Sequence, residues 1–361
     1  MNAPLQTVPQ LIASARQALQ AGGNPLLAVE ALNEAVKQAP RDIGLILYLG
    51  DAHHAAGQKT EAGHAYGIGL KLAQQINPAS IPEGIRQALR RAEARRAEYA
   101  AAYEGFLRGR LPSGAIEPRF DQALDILLGR RKIFVQQPTK FYFPGLPQIQ
   151  FYDTALFDWA SELESKTDQI RDELIAVMAE TDAFAPYLPE EDTFRPHLSS
   201  TALQGSLDWA AFYIWQDGRY VEENARRCPV TAAAFQNVPL DLMPGKAPSV
   251  LFSRLKPGAH IPPHTGLVNT RLIGHLPLLV PGPAWLRVGN EVHHWQEGKL
   301  VVFDDSIEHE AKNEADETRV VLLFDFWRPE ITAREREQIT VLMEAISDYT
   351  GDEPPRKQDP L

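Results

Sequence analysis

The amino-acid sequence predicts an α+β protein, in which an all-helical repeat domain precedes a domain built mainly of β-strands. Two observations lead to this prediction. From about residue 9 to residue 108, apolar residues recur every three or four positions, as amphipathic helices require. From residue 137 onward, short β-rich segments are bounded by Pro, Gly and Asn without regular strand–helix alternation, which favours a barrel or jelly roll over a parallel sheet.

The predicted domain boundaries follow these changes in sequence character. Residues 1–110 form the helical domain, residues 111–136 a linker, and residues 137–349 the β-rich domain with flanking helices. Prolines between Leu111 and Pro147 mark the change, because proline fits neither inside a helix nor inside a central strand. The remaining residues, 350–361, are polar and proline-rich, and we expect them to form a disordered tail.

The helical domain contains an internal repeat. The segments LAVEALNEAVKQAP and TEAGHAYGIGLKLAQ align at a spacing of 34 residues, which places Ala28 over Ala62 and Leu32 over Tyr66. A small residue allows two helices to approach closely, and the bulky residue four positions later fills the groove between them. The pattern resembles tetratricopeptide repeats, the alternative being an unspecific helical bundle. Helical repeats commonly form concave surfaces, so we expect this domain to recruit a protein or peptide substrate.

The composition and the N-terminal sequence limit the classes of binding partner and the cellular compartment that we expect. The formal net charge of −11 argues against binding to nucleic acid or to anionic membranes, which both attract clustered positive charge. The sequence begins without a signal-peptide pattern and has no long apolar run, so we expect a cytoplasmic protein that is not in the membrane. Cys228 is the only cysteine, so any metal must be held by nitrogen and oxygen ligands.

Side-chain alternation in two β-rich segments separates an apolar face from a polar one. In TRLIGHLPLLV, Arg271 and His275 share a face with Ile273, whereas the opposite face carries Leu272, Leu276 and Leu278. In TRVVLLFDFW, Arg319 shares a face with Asp325 at the start of a strand otherwise suited to burial. A guanidinium group there requires an anion, and its fork matches a carboxylate. The pair Gly289-Asn290 between two alternating runs predicts a two-residue hairpin.

A histidine in a loop after one strand, a distal histidine and an arginine ten residues further on form a distinctive order. These residues lie in LFSRLKPGAHIPPHTGLVNTRLIGHLPL and WQEGKLVVFDDSIEHEAKNEADETRVVLLFDFWRPE, and weaker signals lie in FYFPGLPQIQFYD and FYIWQDGR. Over about residues 137–345, the sequence resembles the aspartyl/asparaginyl β-hydroxylase family. The resemblance implies a double-stranded β-helix (jelly-roll) fold, iron(II) as cofactor and 2-oxoglutarate as co-substrate.

The resemblance also implies roles for individual residues. His264 and His309 match the iron ligands, and Arg319 matches the arginine that binds the distal carboxylate of 2-oxoglutarate. His275 and Ser253 match polar groups that line the co-substrate.

Four further positions complete the comparison with the family. Trp215 matches an aromatic residue at the co-substrate pocket, although a core role also fits a large apolar residue in a β-rich stretch. Ile273 departs from the family pattern, which has an arginine there. Gly266 stands where many iron oxygenases place a carboxylate ligand, but the family shares this glycine. The prediction is a two-histidine site in which Asp305 holds a metal-bound water; Asp305 as a loop-capping residue is the alternative.

The function implied is iron(II)/2-oxoglutarate-dependent hydroxylation of Asp or Asn residues in a protein or peptide. A lipid or a free amino acid is an alternative substrate. A second class of function is a repeat-based interaction scaffold whose jelly-roll domain is inactive or serves as a sensor, which intact His264, His309 and Arg319 disfavour. Halogenation at the position left by Gly266, and a zinc- or manganese-dependent isomerase, fit the motif less well.

Overall fold

The computed structural model describes residues 6–180, 183–190, 202–243 and 247–350. The chain divides into two compact units, residues 1–130 and residues 131–361. The predicted tail, 350–361, lies outside the described residues from residue 351 onward. No helix in the described part of the chain is long and apolar enough to cross a membrane.

The first unit is helical, as the spacing of its apolar residues predicts. Side chains of Asn24 and Asp42 accept hydrogen bonds from backbone N–H groups in the first turns of two helices, which defines where those helices begin. The helices are α1 (Val8–Ala18), α2 (Pro25–Gln38), α3 (Ile43–Ala55), α4 (Lys59–Ala73), α5 (Glu83–Arg108) and α6 (Pro118–Leu127).

The repeat positions lie in the core of the first unit. Ala28 and Leu32 of α2 are fully buried, and so are Ala62 and Tyr66 of α4. The ring of Tyr66 packs directly against Gly50, where an added Cβ would lie 2.5 Å from the ring carbon Cδ1. Small residues therefore stand where neighbouring helices come close, as the repeat alignment predicts.

The predicted linker contains a helix. Helix α6 lies inside residues 111–136, and the division between the two units falls between Arg130 and Arg131. Pro118 occupies the first turn of α6, a position where proline is tolerated because its missing N–H has no helical partner. Arg108 of α5 forms ion pairs with Glu104 and Asp121, which attach α6 to α5. Reading the prolines only as helix breakers missed this helix.

The second unit contains twelve strands and five helices among the described residues. The strands are β1 (Phe151–Tyr152), β2 (Ala185–Pro186), β3 (Trp209–Gln216), β4 (Arg219–Tyr220), β5 (Val250–Leu255), β6 (His260–His264), β7 (Arg271–Leu279), β8 (Ala284–Val288), β9 (Glu291–His294), β10 (Val301–Phe303), β11 (His309–Asn313) and β12 (Arg319–Trp327). The helices are α7 (Ala160–Ser165), α8 (Thr167–Met178), α9 (Glu222–Arg227), α10 (Pro229–Ala233) and α11 (Ala333–Thr350).

The strands form two antiparallel sheets with jelly-roll topology. The larger sheet has the order β1-β10-β7-β12-β5-β3-β2, with β4 paired to β3, and the smaller sheet has the order β6-β11-β8-β9. Within β5 to β12, the chain crosses from one sheet to the other after every strand except β8, so strands distant in sequence lie side by side. The predicted fold class, a helical domain followed by a jelly roll, is confirmed.

Each face of the larger sheet has its own hydrophobic core. Leu272 and Leu322 pack with Ile170 and Leu174 of α8 on one face. On the other face, Val321 and residues of the smaller sheet form a second core. The predicted alternation in β7 and β12 is therefore confirmed, because one set of side chains faces the helices and the other faces the second sheet.

The predicted two-residue hairpin is also present. Strands β8 and β9 pair with Val288 opposite Glu291, which leaves Gly289 and Asn290 as the turn. Gly289 has φ +55°, in the left-handed region that favours glycine.

Candidate active site

Two histidines from neighbouring strands of the smaller sheet lie side by side. His264 ends β6, His309 begins β11, and the two residues are paired in the ladder. Their ring centroids are 4.0 Å apart. The sequence placed His264 in a loop; it is instead the last residue of a strand, so the sheet register fixes the pair.

Backbone carbonyl groups orient both imidazole rings in the same way. Nδ1 of His264 lies 2.8 Å from the carbonyl oxygen of Pro262, and Nδ1 of His309 lies 3.1 Å from that of Ile307. A carbonyl only accepts hydrogen bonds, so Nδ1 carries the proton in each ring and the Nε2 lone pair is left available for a metal. Burial and the neighbouring His264 lower the pKa of His309 well below its usual value, which maintains the neutral form that a metal requires.

Asp305 lies next to Gly266 on the adjacent loop. The N–H of Gly266 donates a 2.7 Å hydrogen bond to the carbonyl oxygen of Asp305. A Cβ at Gly266 would overlap the Asp305 carboxylate, 2.5 Å from its Cγ. Burial raises the pKa of Asp305 to about 7, although Arg271 acts in the opposite direction. The carboxylate missing at position 266 is thus replaced in space by one from position 305.

Arg319 is a buried cation that has no acidic partner among the described residues. It begins β12, is only 1% exposed, and donates from Nη1 to the carbonyl oxygen of Ser253 at 3.4 Å. Its Nε has no hydrogen-bond partner among the described residues. Burial lowers the pKa of Arg319 to about 9, and no carboxylate counteracts this effect. A guanidinium group in this environment is suited to bind an incoming carboxylate.

Ser253 and His275 lie in the same cavity as Arg319. The indole N–H of Trp209 donates to the Ser253 hydroxyl at 3.2 Å, so that hydroxyl accepts this bond and its own proton remains for another acceptor. Neither ring nitrogen of His275 has a partner among the described residues. Burial and the charge of Arg319 lower the pKa of His275 well below its usual value, so the ring is neutral.

The structure does not bring Trp215 to this cavity. The pairing of β3 with β5 shifts between Tyr213 and Trp215, so the strand contains a bulge. The bulge reverses the side-chain alternation and turns Trp215 toward the core on the opposite face of the sheet, where it also contacts Tyr220 edge-on. Trp209, earlier in the same strand, lines the cavity instead. The predicted pocket role of Trp215 is wrong for this geometric reason.

The cavity has a volume of about 1020 Å³, counting the part open to solvent. Arg271 and Asp325 line it and form a buried ion pair that the sequence analysis did not recognise. Both residues had been placed on the correct strand faces, but their pairing depends on the register of β7 against β12. Burial lowers the pKa of Arg271, but the charges of Asp325, Asp305 and Asp241 together outweigh this effect and hold that pKa above its usual value.

A segment before β1, residues 136–143, here called the strap, borders the site. The N–H of Gln137 donates to the Ser306 carbonyl at 2.7 Å, and the N–H of Thr139 donates to the Gly266 carbonyl at 3.0 Å. Thr139 also lines the cavity. The strap therefore holds both loops that carry the Gly266–Asp305 contact.

A buried ion pair fixes the loop that leads to His309. Arg328 and Asp304 lie 2.8 Å apart, and both are fully buried. Gln136 of the strap donates a further 2.6 Å hydrogen bond to Asp304. Asp304 therefore has a structural role beside Asp305.

The residues present fit a metal held by two imidazoles. No group of three or more His, Cys, Asp or Glu side chains converges to hold a metal within residues 6–180, 183–190, 202–243 and 247–350. His264 and His309 supply two nitrogen ligands, and imidazole is a suitable ligand for iron. The unpartnered donors on Arg319 and His275 face the same cavity, which fits an anionic co-substrate beside the metal.

Comparison with known proteins agrees with this geometry. Residues 164–329 match the family model described as aspartyl/asparaginyl beta-hydroxylase. These residues are thus similar to the aspartyl/asparaginyl β-hydroxylase family. The resemblance on which the sequence analysis relied is thereby confirmed, and similarity to a hydroxylase family supports an oxygenase. All the cavity residues discussed above, except Thr139 of the strap, fall within this hydroxylase-family segment.

Two relatives illustrate the range of the family. The chain is 41% identical over 190 residues to an ornithine lipid ester-linked acyl 2-hydroxylase from Rhizobium tropici, covering 51% of this chain and 62% of the relative. It is 33% identical over 191 residues to the human aspartyl/asparaginyl beta-hydroxylase, covering 53% of this chain and 24% of the relative. The chain thus spans less than two thirds of the length of either relative.

Solved structures resemble the hydroxylase-family segment only distantly. A cupin domain of Cnp3 from Schizosaccharomyces pombe aligns with a TM-score of 0.23 and 6% identity, covering 40% of this chain and 73% of that one. A predicted oxalate decarboxylase from Thermotoga maritima aligns with a TM-score of 0.23 and 11% identity, over 33% and 81% of the two chains. The strand order described above defines the fold independently.

Proposed function

We propose that this protein is an iron(II)- and 2-oxoglutarate-dependent hydroxylase. The observation that carries the proposal is the arrangement of two groups in one cavity. The His264 and His309 rings lie 4.0 Å apart with each Nδ1 bonded to a backbone carbonyl, and the buried guanidinium of Arg319 has no acidic partner in the part of the chain that the structure describes. Iron bound by the histidines would supply the oxidative chemistry that couples 2-oxoglutarate decarboxylation to C–H hydroxylation.

The protein's own contribution is to bind and orient the co-substrate and to exclude water from the cavity. The Arg319 fork binds the distal carboxylate of 2-oxoglutarate, and the Ser253 hydroxyl, which accepts from Trp209, donates to the same carboxylate. Neutral His275 provides one donor and one acceptor beside it. Apolar side chains of Ile261 and Leu286 close the cavity around these groups and lower the local dielectric.

Asp305 is the residue best placed to stabilise a water on the metal. Its Oδ1 is buried and has no hydrogen-bond partner among the described residues, so it can accept a bond from such a water. Gly266 provides the space, because any side chain there would overlap the carboxylate. The site then has two protein nitrogen ligands and a water oriented by Asp305.

The charged residues that line the cavity indicate which charge a substrate can carry. The guanidinium groups that line the cavity in the described part of the chain are those of Arg271 and Arg319. Arg271 is paired with Asp325, and Arg319 is assigned to 2-oxoglutarate. A substrate carboxylate would add negative charge near Asp305 and Asp325 without meeting an unpaired cation. The cavity therefore favours a substrate that is neutral at the reacting carbon.

We accordingly propose the acyl chain of a lipid as the substrate, which the name of the Rhizobium tropici relative supports. Ile273, which stands at the position of a family arginine, lines the cavity with an apolar surface that suits such a chain. Hydroxylation of a protein Asn residue is the second candidate, because an amide is also neutral and the helical repeats offer a surface for a protein. An Asp side chain, the other substrate expected from sequence, fits these charges least well.

An anaerobic visible spectrum tests the proposed cofactors. Iron(II) is added first and 2-oxoglutarate is then titrated in, with His309→Ala and the exposed-residue control His294→Ala measured in parallel. We expect a metal-to-ligand charge-transfer band that grows with 2-oxoglutarate in the wild type and in His294→Ala but not in His309→Ala. Absence of the band in the wild type would reject the proposal. Succinate release with acyl lipids, Asn peptides and Asp peptides then ranks the substrates.

A further inference from the structure

Trp295, which follows β9, lies directly against Arg319. The guanidinium carbon of Arg319 is 4.2 Å from the centroid of the Trp295 ring. Trp295 is 5% exposed, and its ring also lies 5.8 Å from that of His275. The hydroxylase roles assigned above leave Trp295 without a function.

A buried guanidinium needs an interaction that replaces water. The side chain of Arg319 makes one hydrogen bond to the described residues, at 3.4 Å to a backbone carbonyl, and no ion pair with them. The face of an indole ring is the strongest cation–π partner among the natural side chains, and the interaction strengthens when water is excluded. The stacking on Trp295 is therefore the main polar stabilisation that Arg319 receives.

Arg271, which also lines the cavity, shows how an acidic partner differs in its effect from an aromatic one. Arg271 donates from Nη1 to the Asp325 carboxylate, which neutralises the positive charge that would otherwise attract a ligand carboxylate. An aromatic face stabilises the positive charge from above the guanidinium plane and leaves the in-plane N–H donors available. Stacking on Trp295 therefore keeps Arg319 charged and leaves its N–H groups available to bind a carboxylate.

We propose that Trp295 is a positioning residue for 2-oxoglutarate: its indole face holds the Arg319 guanidinium charged and correctly oriented, so that the fork binds the co-substrate carboxylate without competition from an acidic side chain. This inference rests on the proposed function. It adds a residue that does not contact the reacting atoms but sets the affinity of the residue that binds the co-substrate.

The test measures binding and not turnover. Isothermal titration calorimetry gives the Kd for 2-oxoglutarate in the full-length protein loaded with Mn(II), together with the Kd for Mn(II) itself. Trp295→Leu removes the aromatic face, and Trp295→Phe keeps a weaker one. Trp285→Leu is the matched control, because Trp285 is in β8 and its side chain does not line the cavity.

We expect Trp295→Leu to raise the Kd for 2-oxoglutarate about 10- to 30-fold, and Trp295→Phe to raise it less. The Kd for Mn(II) should stay at the wild-type value in both, and Trp285→Leu should leave both constants unchanged. In an Arg319→Gln background, Trp295→Leu should have no further effect on 2-oxoglutarate, because the cation through which it acts is gone.

Each other outcome is decisive. An unchanged 2-oxoglutarate Kd in both Trp295 variants would overturn the inference, and so would equal weakening of Mn(II) and 2-oxoglutarate binding, which indicates a purely structural role. If Trp295→Leu does not fold, Trp295→Phe and its double mutant with Arg319→Gln decide the question. Wild-type protein that does not bind 2-oxoglutarate at all would instead reject the proposed function.

Discussion

The carboxylate of Asp305 fills the space in which a side chain at Gly266 would begin. The two residues also share a 2.7 Å backbone hydrogen bond, so their loops are held together at this point. A site of this kind separates two functions that a single ligand residue usually combines. In the proposed function the histidines hold the metal, and the acidic group acts from a neighbouring loop.

Gly266→Ala should weaken metal binding about 10-fold or more, because the new methyl group displaces the Asp305 carboxylate. The double variant Gly266→Asp with Asp305→Gly removes the overlap and places a carboxylate beside the two histidines. It should bind Mn(II) more tightly than Asp305→Gly alone. Calorimetric titration with Mn(II) measures both effects, and wild-type affinity in Gly266→Ala would contradict the prediction.

Arg319→Ala should raise the KM for 2-oxoglutarate about 100-fold, since hydrogen bonds to a charged group contribute about 1.5–3 kcal/mol. Arg319→Lys should raise it less, because lysine keeps the charge but loses the fork. Steady-state kinetics with succinate detection provides the measurement. Arg254→Ala is the control, because Arg254 is in β5 and its guanidinium lies over the Phe184 ring, outside the cavity lining. A KM unchanged in Arg319→Ala would refute the assignment.

Binding of 2-oxoglutarate should weaken at high pH. Burial lowers the pKa of Arg319 to about 9, and only the protonated guanidinium binds a carboxylate. A basic group with a lowered pKa loses its charge as pH rises through that value, so the Kd should be constant below about pH 8 and rise up to tenfold per unit above about pH 9. Isothermal titration calorimetry across this pH range tests whether the Kd rises with pH. Arg319→Gln should bind weakly at every pH, and a flat wild-type profile would be inconsistent with the prediction.

Asp304→Ala should lower the free energy of unfolding by about 3–5 kcal/mol, because it leaves the fully buried Arg328 without its counter-ion. Glu308→Ala is the comparison: Glu308 pairs with Arg287 but is 41% exposed, and its loss should cost less than about 1 kcal/mol. Urea denaturation followed by tryptophan fluorescence gives both values. Equal destabilisation by the two variants would show that the buried pair contributes no more to the free energy of unfolding than the exposed pair does.

Gly50→Ala should destabilise the helical unit alone. The added methyl group would meet the Tyr66 ring, and such overpacking costs about 1–3 kcal/mol. All six tryptophans lie in the second unit, so fluorescence follows that unit, whereas circular dichroism at the helix band is dominated by the first. Only the dichroism transition should shift. A matching shift in fluorescence would mean that the two units unfold together.

The sequence predicted the site mainly where strand alternation controls it. Arg271 and His275 in β7, and Arg319 in β12, lie on the cavity face as the two-residue period requires. His264 and His309 lie together, as their motif predicts. Their proposed roles in binding iron and 2-oxoglutarate stay predictions, since geometry alone does not measure binding.

What the sequence did not predict depends on pairing between distant segments. The bulge in β3 turns Trp215 away and leaves Trp209 to contact Ser253, and a bulge has no clear mark in a single sequence. The Arg271–Asp325 pair and the stacking of Trp295 under Arg319 similarly follow from which strands become neighbours. Helix α6 was missed because proline at its first turn was taken to end helical structure.

The strap also determines when the site is completed during synthesis of the chain. Gln136 bonds to Asp304, 168 positions later, and to Asn269, 133 positions later, so these contacts close long loops and form slowly. A helical unit with mostly local contacts can fold as soon as it leaves the ribosome. The two histidines proposed to bind iron, in contrast, are held in place only after Arg328 has been translated. Iron loading is therefore expected only after Arg328 has emerged from the ribosome.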